Sequence, residues 1–383
     1  MLLEISTKFA SMSNEKKWFH ISKADEIDSP ALMVFPERAK TNIQTAIKMI
    51  GDTNRLRPHV KTHKCAEVAL MMMAEGIYKF KCATIAEAEM LGITKAKDVL
   101  LAYQPVGPKL QRFIQLIKKY PGTVYSCLTD NLSSADEQSK AFSDAGLNIA
   151  VYIDLNVGMN RTGIAPGDQA LELYRFCSSA PGIIIKGLHV YDGHITNPNF
   201  EERQKEVDKS FAKVEAFTEV IKASDLPFPT IIIGGSPSFP IHCKRQGVEC
   251  SPGTFVYWDK GYLTNCPEQE LIPAAILLTR VVSIPGQGII CTDLGHKSVA
   301  AENEITKRVF FPEHEYLTAT AQSEEHLVLK NSSPHIFNQG DVLYGLPWHI
   351  CPTVALYDSI QIVENGRYLN AWKNIARDRK ISI

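Results

Sequence analysis

Neither sign of charge prevails in this chain: 41 Lys and Arg stand against 42 Asp and Glu, for a net charge of −1. Such balance offers no surface for nucleic acid or an anionic membrane, so a small-molecule partner is expected. No apolar run is long enough to cross a bilayer, and the opening stretch Met1–Lys17 is polar and mixed in charge, unlike a secretory signal. A soluble, cytoplasmic protein is the expectation. The nine cysteines are odd in number and contain no C-x-x-C pair, which excludes a disulfide framework and makes most of them small buried apolar residues. No G-x-G-x-x-G follows any strand-like run, which weakens an open dinucleotide-binding sheet. Internal repeats and low-complexity stretches are absent as well.

What is present is alternation. From Arg55 onward strand-like and helical runs follow one another: Arg55–Lys61 then Cys65–Glu75, Tyr78–Ala83 then Ile85–Leu91, Asp98–Tyr103 then Lys109–Lys119, Thr123–Leu128 then Ser133–Ala145. The series continues with Asn148–Asp154 before Asp168–Ser178, Ile183–Tyr191 before Phe200–Ala223, Thr230–Gly234 before Phe239–Gln246, and a closing Glu249–Phe255. Eight strands with right-handed crossovers close most readily into a (β/α)8 TIM-type barrel, predicted over residues 31–266. Beyond Pro267 the runs are short, β-prone and separated by turn signals, predicting a smaller β-rich domain from residues 267–383 and 1–30, with Ala31–Phe35 a candidate to complete it.

In such a barrel the chemistry gathers at the C-terminal ends of the strands. Lys61 ends the first strand in Arg57-Pro58-His59-Val60-Lys61-Thr62-His63-Lys64, with His59 expected on the same face of an extended run. A lysine beside a second nitrogen base suits Schiff-base chemistry, although a solvated basic patch would look the same. Arg161 follows the fifth strand, Tyr191 and His194 end the sixth, Gly234-Gly235-Ser236 the seventh, and Gly253-Thr254 the eighth. The two glycine-containing loops offer backbone N–H groups to a phosphate, or are plain tight turns. In Trp348–Thr353, His349 and Cys351 are expected on one side of an extended segment, as two ligands of a divalent metal or as a buried pair.

Together these motifs resemble the pyridoxal-phosphate enzymes of the alanine-racemase fold, in their D-threonine aldolase and D-serine dehydratase branch. The resemblance covers nearly the whole chain and rests most on Arg57–Lys64, which looks like the branch's Schiff-base motif. It implies pyridoxal 5'-phosphate on Lys61, with Arg161 at its phenolic oxygen and Tyr191 near its pyridine nitrogen. Gly234, Gly235, Ser236, Gly253 and Thr254 would cradle its phosphate. It further implies a metal on His349 and Cys351, zinc before manganese or magnesium, and catalytic roles for Lys61, His59 and His194. A homodimer with shared active sites and a D-amino acid substrate follow from the same resemblance. The expected reaction is retro-aldol cleavage of a β-hydroxy-D-amino acid, with dehydration of D-serine as the alternative. A non-catalytic pyridoxal-phosphate carrier, or a barrel enzyme for phosphorylated sugars, would leave the metal pair unexplained.

Overall fold

The computed structural model describes residues 18–383; Met1–Lys17, and any part of them in the β-rich domain, lie outside the described residues. Two compact units form, 18–39 with Pro273–Lys373 and Lys40–Ile272 with Asn374–Ile383. The expected boundaries at 31 and 267 are therefore displaced. Strand β1 (Ala31–Val34) is buried along its whole length and joins the mixed sheet rather than the barrel. The last residues return to the barrel unit because the Glu89 carboxylate accepts the backbone N–H groups of Ser382 (3.1 Å) and Ile383 (3.3 Å).

In the barrel unit, β2 (Lys79–Cys82), β3 (Asp98–Leu101), β4 (Val124–Thr129), β5 (Ile149–Leu155), β6 (Ile183–Val190), β7 (Thr230–Ile233) and β8 (Val248–Cys250) form a parallel sheet in chain order. The segment 56–59 touches both of its edges. Leu56 bridges Cys250 and His59 bridges Lys81, with Arg57 N donating to Cys250 O (2.8 Å) and Lys81 N to Pro58 O (2.8 Å). The run expected as strand Arg55–Lys61 is not a regular strand. Pro58 has no N–H for a ladder, and the chain turns at Val60–Thr62 into a 3-10 helix, so Lys61 stands in a turn.

Two-residue steps keep a strand's side chains on one face, and they stack the barrel interior in layers. Arg57, Lys79, Asp98 and Glu249 form an ion-paired layer, with Arg57 Nη1 2.6 Å from Asp98 and its Nε 2.7 Å from Glu249. Next come Leu100, Leu128, Tyr152 and Ile232 as an apolar layer. His59, Lys81, Asp154 and His189 follow at the wall of a cavity.

In the other unit β9 (Ala275–Gly286) pairs with β1, β10 (Ile289–Thr292) and β14 (Val342–Pro347); β11 (Val309–Phe310) pairs with β14. β12 (Leu317–Gln322) and β13 (Leu327–Asn331) extend one side, β15 (Ser359–Glu364) and β16 (Arg367–Lys373) the other. Phe19, Met33, Phe35, Ile276, Leu278 and Val363 form its core. The segment expected to be extended at Trp348–Thr353 instead contains a short helix, Ile350–Val354. His349 caps it, and Thr353 Oγ1 donates back to His349 O at 2.8 Å. All nine cysteines are free, and among the described residues no helix is long and apolar enough to cross a membrane.

Candidate active site

A cavity of about 540 Å³ opens in the barrel unit, and His59, Lys61, Arg161 and Tyr191 all line it. The turn bearing Lys61 is fixed by its neighbour: His59 Nδ1 accepts the Lys61 backbone N–H at 3.2 Å and so caps the 3-10 turn. Burial first, then the charges of Lys61 and Lys81, push the His59 imidazole well below the usual histidine range. It is a neutral acceptor at this position. The adjacent His63 is held at about 3 by burial.

Arg161 is set by an asparagine-built loop. Asn156 Oδ1 accepts from Gly158 N (3.0 Å) and Asn160 N (3.1 Å), and Asn160 takes the left-handed conformation, φ 53°, that asparagine tolerates. The guanidinium carbon lies 5.0 Å from the centroid of the Tyr191 ring, and the Lys61 and Lys81 amines each lie 5.8 Å from it. Three cations thus face one tyrosine. Glycines make room for that ring, since a Cβ on Gly193 would stand 2.2 Å from Tyr191 Oη and one on Gly235 3.2 Å from its Cε2.

The seventh and eighth strand loops converge at Ser236, whose Oγ accepts N–H groups from Thr254 (3.1 Å) and Gly253 (3.4 Å). Two backbone donors and a hydroxyl at one point suit a phosphate oxygen. Gly253 cannot carry a side chain freely: a Cβ would lie 3.1 Å from His59 O and 3.2 Å from Thr62 Oγ1, against the turn of Lys61. Gly234 (φ 83°) opens the other loop, and buried Asp192 braces it by accepting from Ser238 Oγ at 2.8 Å and pairing with His242 Nε2 at 2.8 Å.

His194 is exposed and does not line the cavity. Its Nε2 packs where a Cβ of Gly158 would be, 2.8 Å away, above the loop of Arg161. In the separate β-rich unit, His349 Nδ1 is hydrogen-bonded to the Glu302 carboxylate, the kind of partner that orients metal-ligating histidines. Among the described residues no group of three or more His, Cys, Asp or Glu side chains is arranged to hold a metal ion. An imidazole and a thiol, the donor types of His349 and Cys351, are those a soft divalent cation takes.

Sequence reasoning left out Lys81, Asp154 and the pairing of His189 Nδ1 with Asp154 Oδ1 at 2.7 Å. The signal for Lys81 was present: in a strand over Tyr78–Ala83, alternation puts Lys79 and Lys81 on one face and the apolar Phe80 and Cys82 on the other.

Residues 36–260 match the family model described as alanine racemase, N-terminal domain, and 274–363 match a putative serine dehydratase domain. The chain belongs to the alanine-racemase family, in its D-threonine aldolase and D-serine dehydratase branch. As a member of that branch it is a pyridoxal-phosphate-dependent lyase. It is 29% identical to a D-threonine aldolase of an Arthrobacter species over 92% of this chain and 93% of that one. It is 25% identical to a 3-hydroxy-D-aspartate aldolase of Paracoccus denitrificans, over 92% and 93% of the two chains. The crystal structure of D-threonine aldolase from Filomicrobium marinum superposes with a TM-score of 0.85 at 26% identity, covering 94% of this chain and 97% of that one.

Proposed function

We propose that this protein cleaves β-hydroxy-D-amino acids of the D-threonine type to glycine and an aldehyde, using pyridoxal 5'-phosphate and a divalent metal. The observation that carries this reading is the meeting of Lys61, Arg161 and Tyr191 on one cavity, with the backbone N–H groups of Gly253 and Thr254 gathered on the Ser236 hydroxyl in the same barrel unit. Lys61 would hold the cofactor, which when bound supplies an electron sink for the bond broken at Cα. The Lys61 amine would also be the group that holds or moves a proton at the substrate Cα. Neutral His59 keeps the Lys61 turn in place through its Nδ1 acceptor. Arg161 would neutralise the phenolic oxygen, and Tyr191 would meet the ring nitrogen as a hydrogen-bond partner rather than as a full charge. His194 would take the β-hydroxyl proton. His349 and Cys351 would hold the metal, zinc before manganese or magnesium, as a grip on the β-oxygen. A homodimer and a cytoplasmic location complete the proposal.

A second reading, zinc-dependent dehydration of D-serine to pyruvate and ammonia, is favoured by the thiolate donor Cys351 and by the match of 274–363 to a putative serine dehydratase domain. Purified enzyme given D-threonine and D-serine, with zinc or manganese, separates the two: acetaldehyde and glycine are expected from D-threonine. Pyruvate from D-serine without either product would overturn the aldolase reading. Lys61→Ala should abolish both turnover and the visible absorption of bound cofactor, and absorption without turnover of any amino acid would leave a non-catalytic carrier.

A further inference from the structure

Lys81 is 2% exposed and lines the cavity, yet none of the roles above uses it. Apart from Lys61, two other lysines of this region are neutralised. Lys79, on the same face of β2, pairs with Glu249, and Lys64 pairs with Glu87. Among the described residues Lys81 Nζ has no hydrogen bond and no ion pair, although a buried ammonium demands one. The carboxylates whose charges act on it are engaged: Asp154 accepts from His189, and Asp192 from Ser238 and His242. What the amine does face is the cavity, at the same 5.8 Å from the Tyr191 ring as Lys61.

We propose that Lys81 is a further cofactor-contacting residue of this site, its amine sharing with Arg161 the phenolic oxygen of the group carried by Lys61 and altering that group's charge as it gains or loses a proton. The inference rests on the function proposed above. The barrel supplies the donor and withholds the acceptor, so a bound anion completes the site.

The groups around Lys81 come from every wall. Its own strand brings Lys79, the segment before the turn brings Arg57 and His59, and the turn brings Lys61. β5 brings Asp154, β6 His189 with Asp192 and Tyr191 beyond it, and the asparagine-built loop Arg161. Burial holds His59 and His189 below the usual histidine range. Burial pushes Asp154 up, but the hydrogen bond and charge of His189, a Thr162 hydrogen bond and the Lys81 charge together bring it below the usual carboxylate range. Lys81 itself is brought down to about 7, by burial first and Lys61 second.

The test is the visible absorption of the cofactor-loaded protein followed from neutral to alkaline pH, in wild type, Lys81→Met and Lys81→Arg. The wild-type spectrum should change as the Lys81 amine loses its proton, with a midpoint above the value of the cofactor-free protein, because the bound anion and the loss of the Lys61 charge both favour the ammonium. Lys81→Met should lose that midpoint, and Lys81→Arg should hold the acid form throughout. An unchanged midpoint in Lys81→Met, or a wild-type spectrum that does not respond to pH, overturns the proposal while leaving the function intact. Should Lys81→Met not fold, Lys81→Arg decides alone, because a retained wild-type midpoint there is equally fatal. Wild-type protein that takes up no pyridoxal phosphate overturns the function, and this inference with it.

Discussion

A lysine buried without a partner costs stability, and Lys81 shows which way that cost runs with pH. Its folded value, about 7, lies below the roughly 10.4 of an unfolded lysine, so the unfolded chain binds the proton more tightly. The penalty is fully present below pH 7 and fades as pH rises towards 10. Three pH units correspond to at most on the order of 4 kcal/mol. Lys81→Met should therefore raise the melting temperature of cofactor-free protein at pH 6, with the gain shrinking at pH 9.5; calorimetry at the two values checks the sign. Gly193 gives a second prediction at this scale. A methyl group there would stand 2.2 Å from Tyr191 Oη, so Gly193→Ala should displace the tyrosine and weaken pyridoxal-phosphate binding about tenfold or more, read by absorbance titration. Neither effect follows from sequence alone. Alternation put Lys81 on a face, but that its nearby carboxylates would be taken by His189, Ser238 and His242 depended on residues from other strands.

At the scale of elements, the informative departure is the turn at Val60–Thr62. A strand was expected because Arg55–Lys61 opens the series of alternating strand-like and helical runs, but Pro58 interrupts the ladder and His59 caps a 3-10 turn with its own ring. His59 and Lys61 still reach one cavity, by a turn rather than by strand alternation. That turn leans on the eighth-strand loop. Gly253→Ala, whose Cβ would meet His59 and Thr62 at 3.1 to 3.2 Å, should lower cofactor affinity more than it lowers stability, measured by titration and thermal melting together. The ion-paired layer beneath is structural. Arg57 is 1% exposed, and Asp98 and Glu249 hold its guanidinium charged in spite of burial. Arg57→Met leaves Asp98 without its partner and Glu249 with Lys79 alone, and should cost about 3 kcal/mol in chemical denaturation.

For the whole molecule, the two units carry separate tasks in the proposed function: the cofactor belongs to the barrel unit and the metal to the β-rich unit. Chelation should accordingly abolish lyase activity while leaving the visible absorption of bound cofactor in place, and His349→Ala should behave the same way. Loss of absorption on chelation would contradict that division. The barrel class and the motifs around Lys61, Arg161 and Tyr191 are legible in the chain, because strand and helix periodicity and loop chemistry are local properties. Tertiary structure alone decided that β1 belongs to the mixed sheet and that residues 56–59 bridge both edges of the seven-stranded sheet. It also decided that Lys81, Asp154 and His189 share one wall. Each of these is set by pairing between segments far apart in the chain, which no local pattern records.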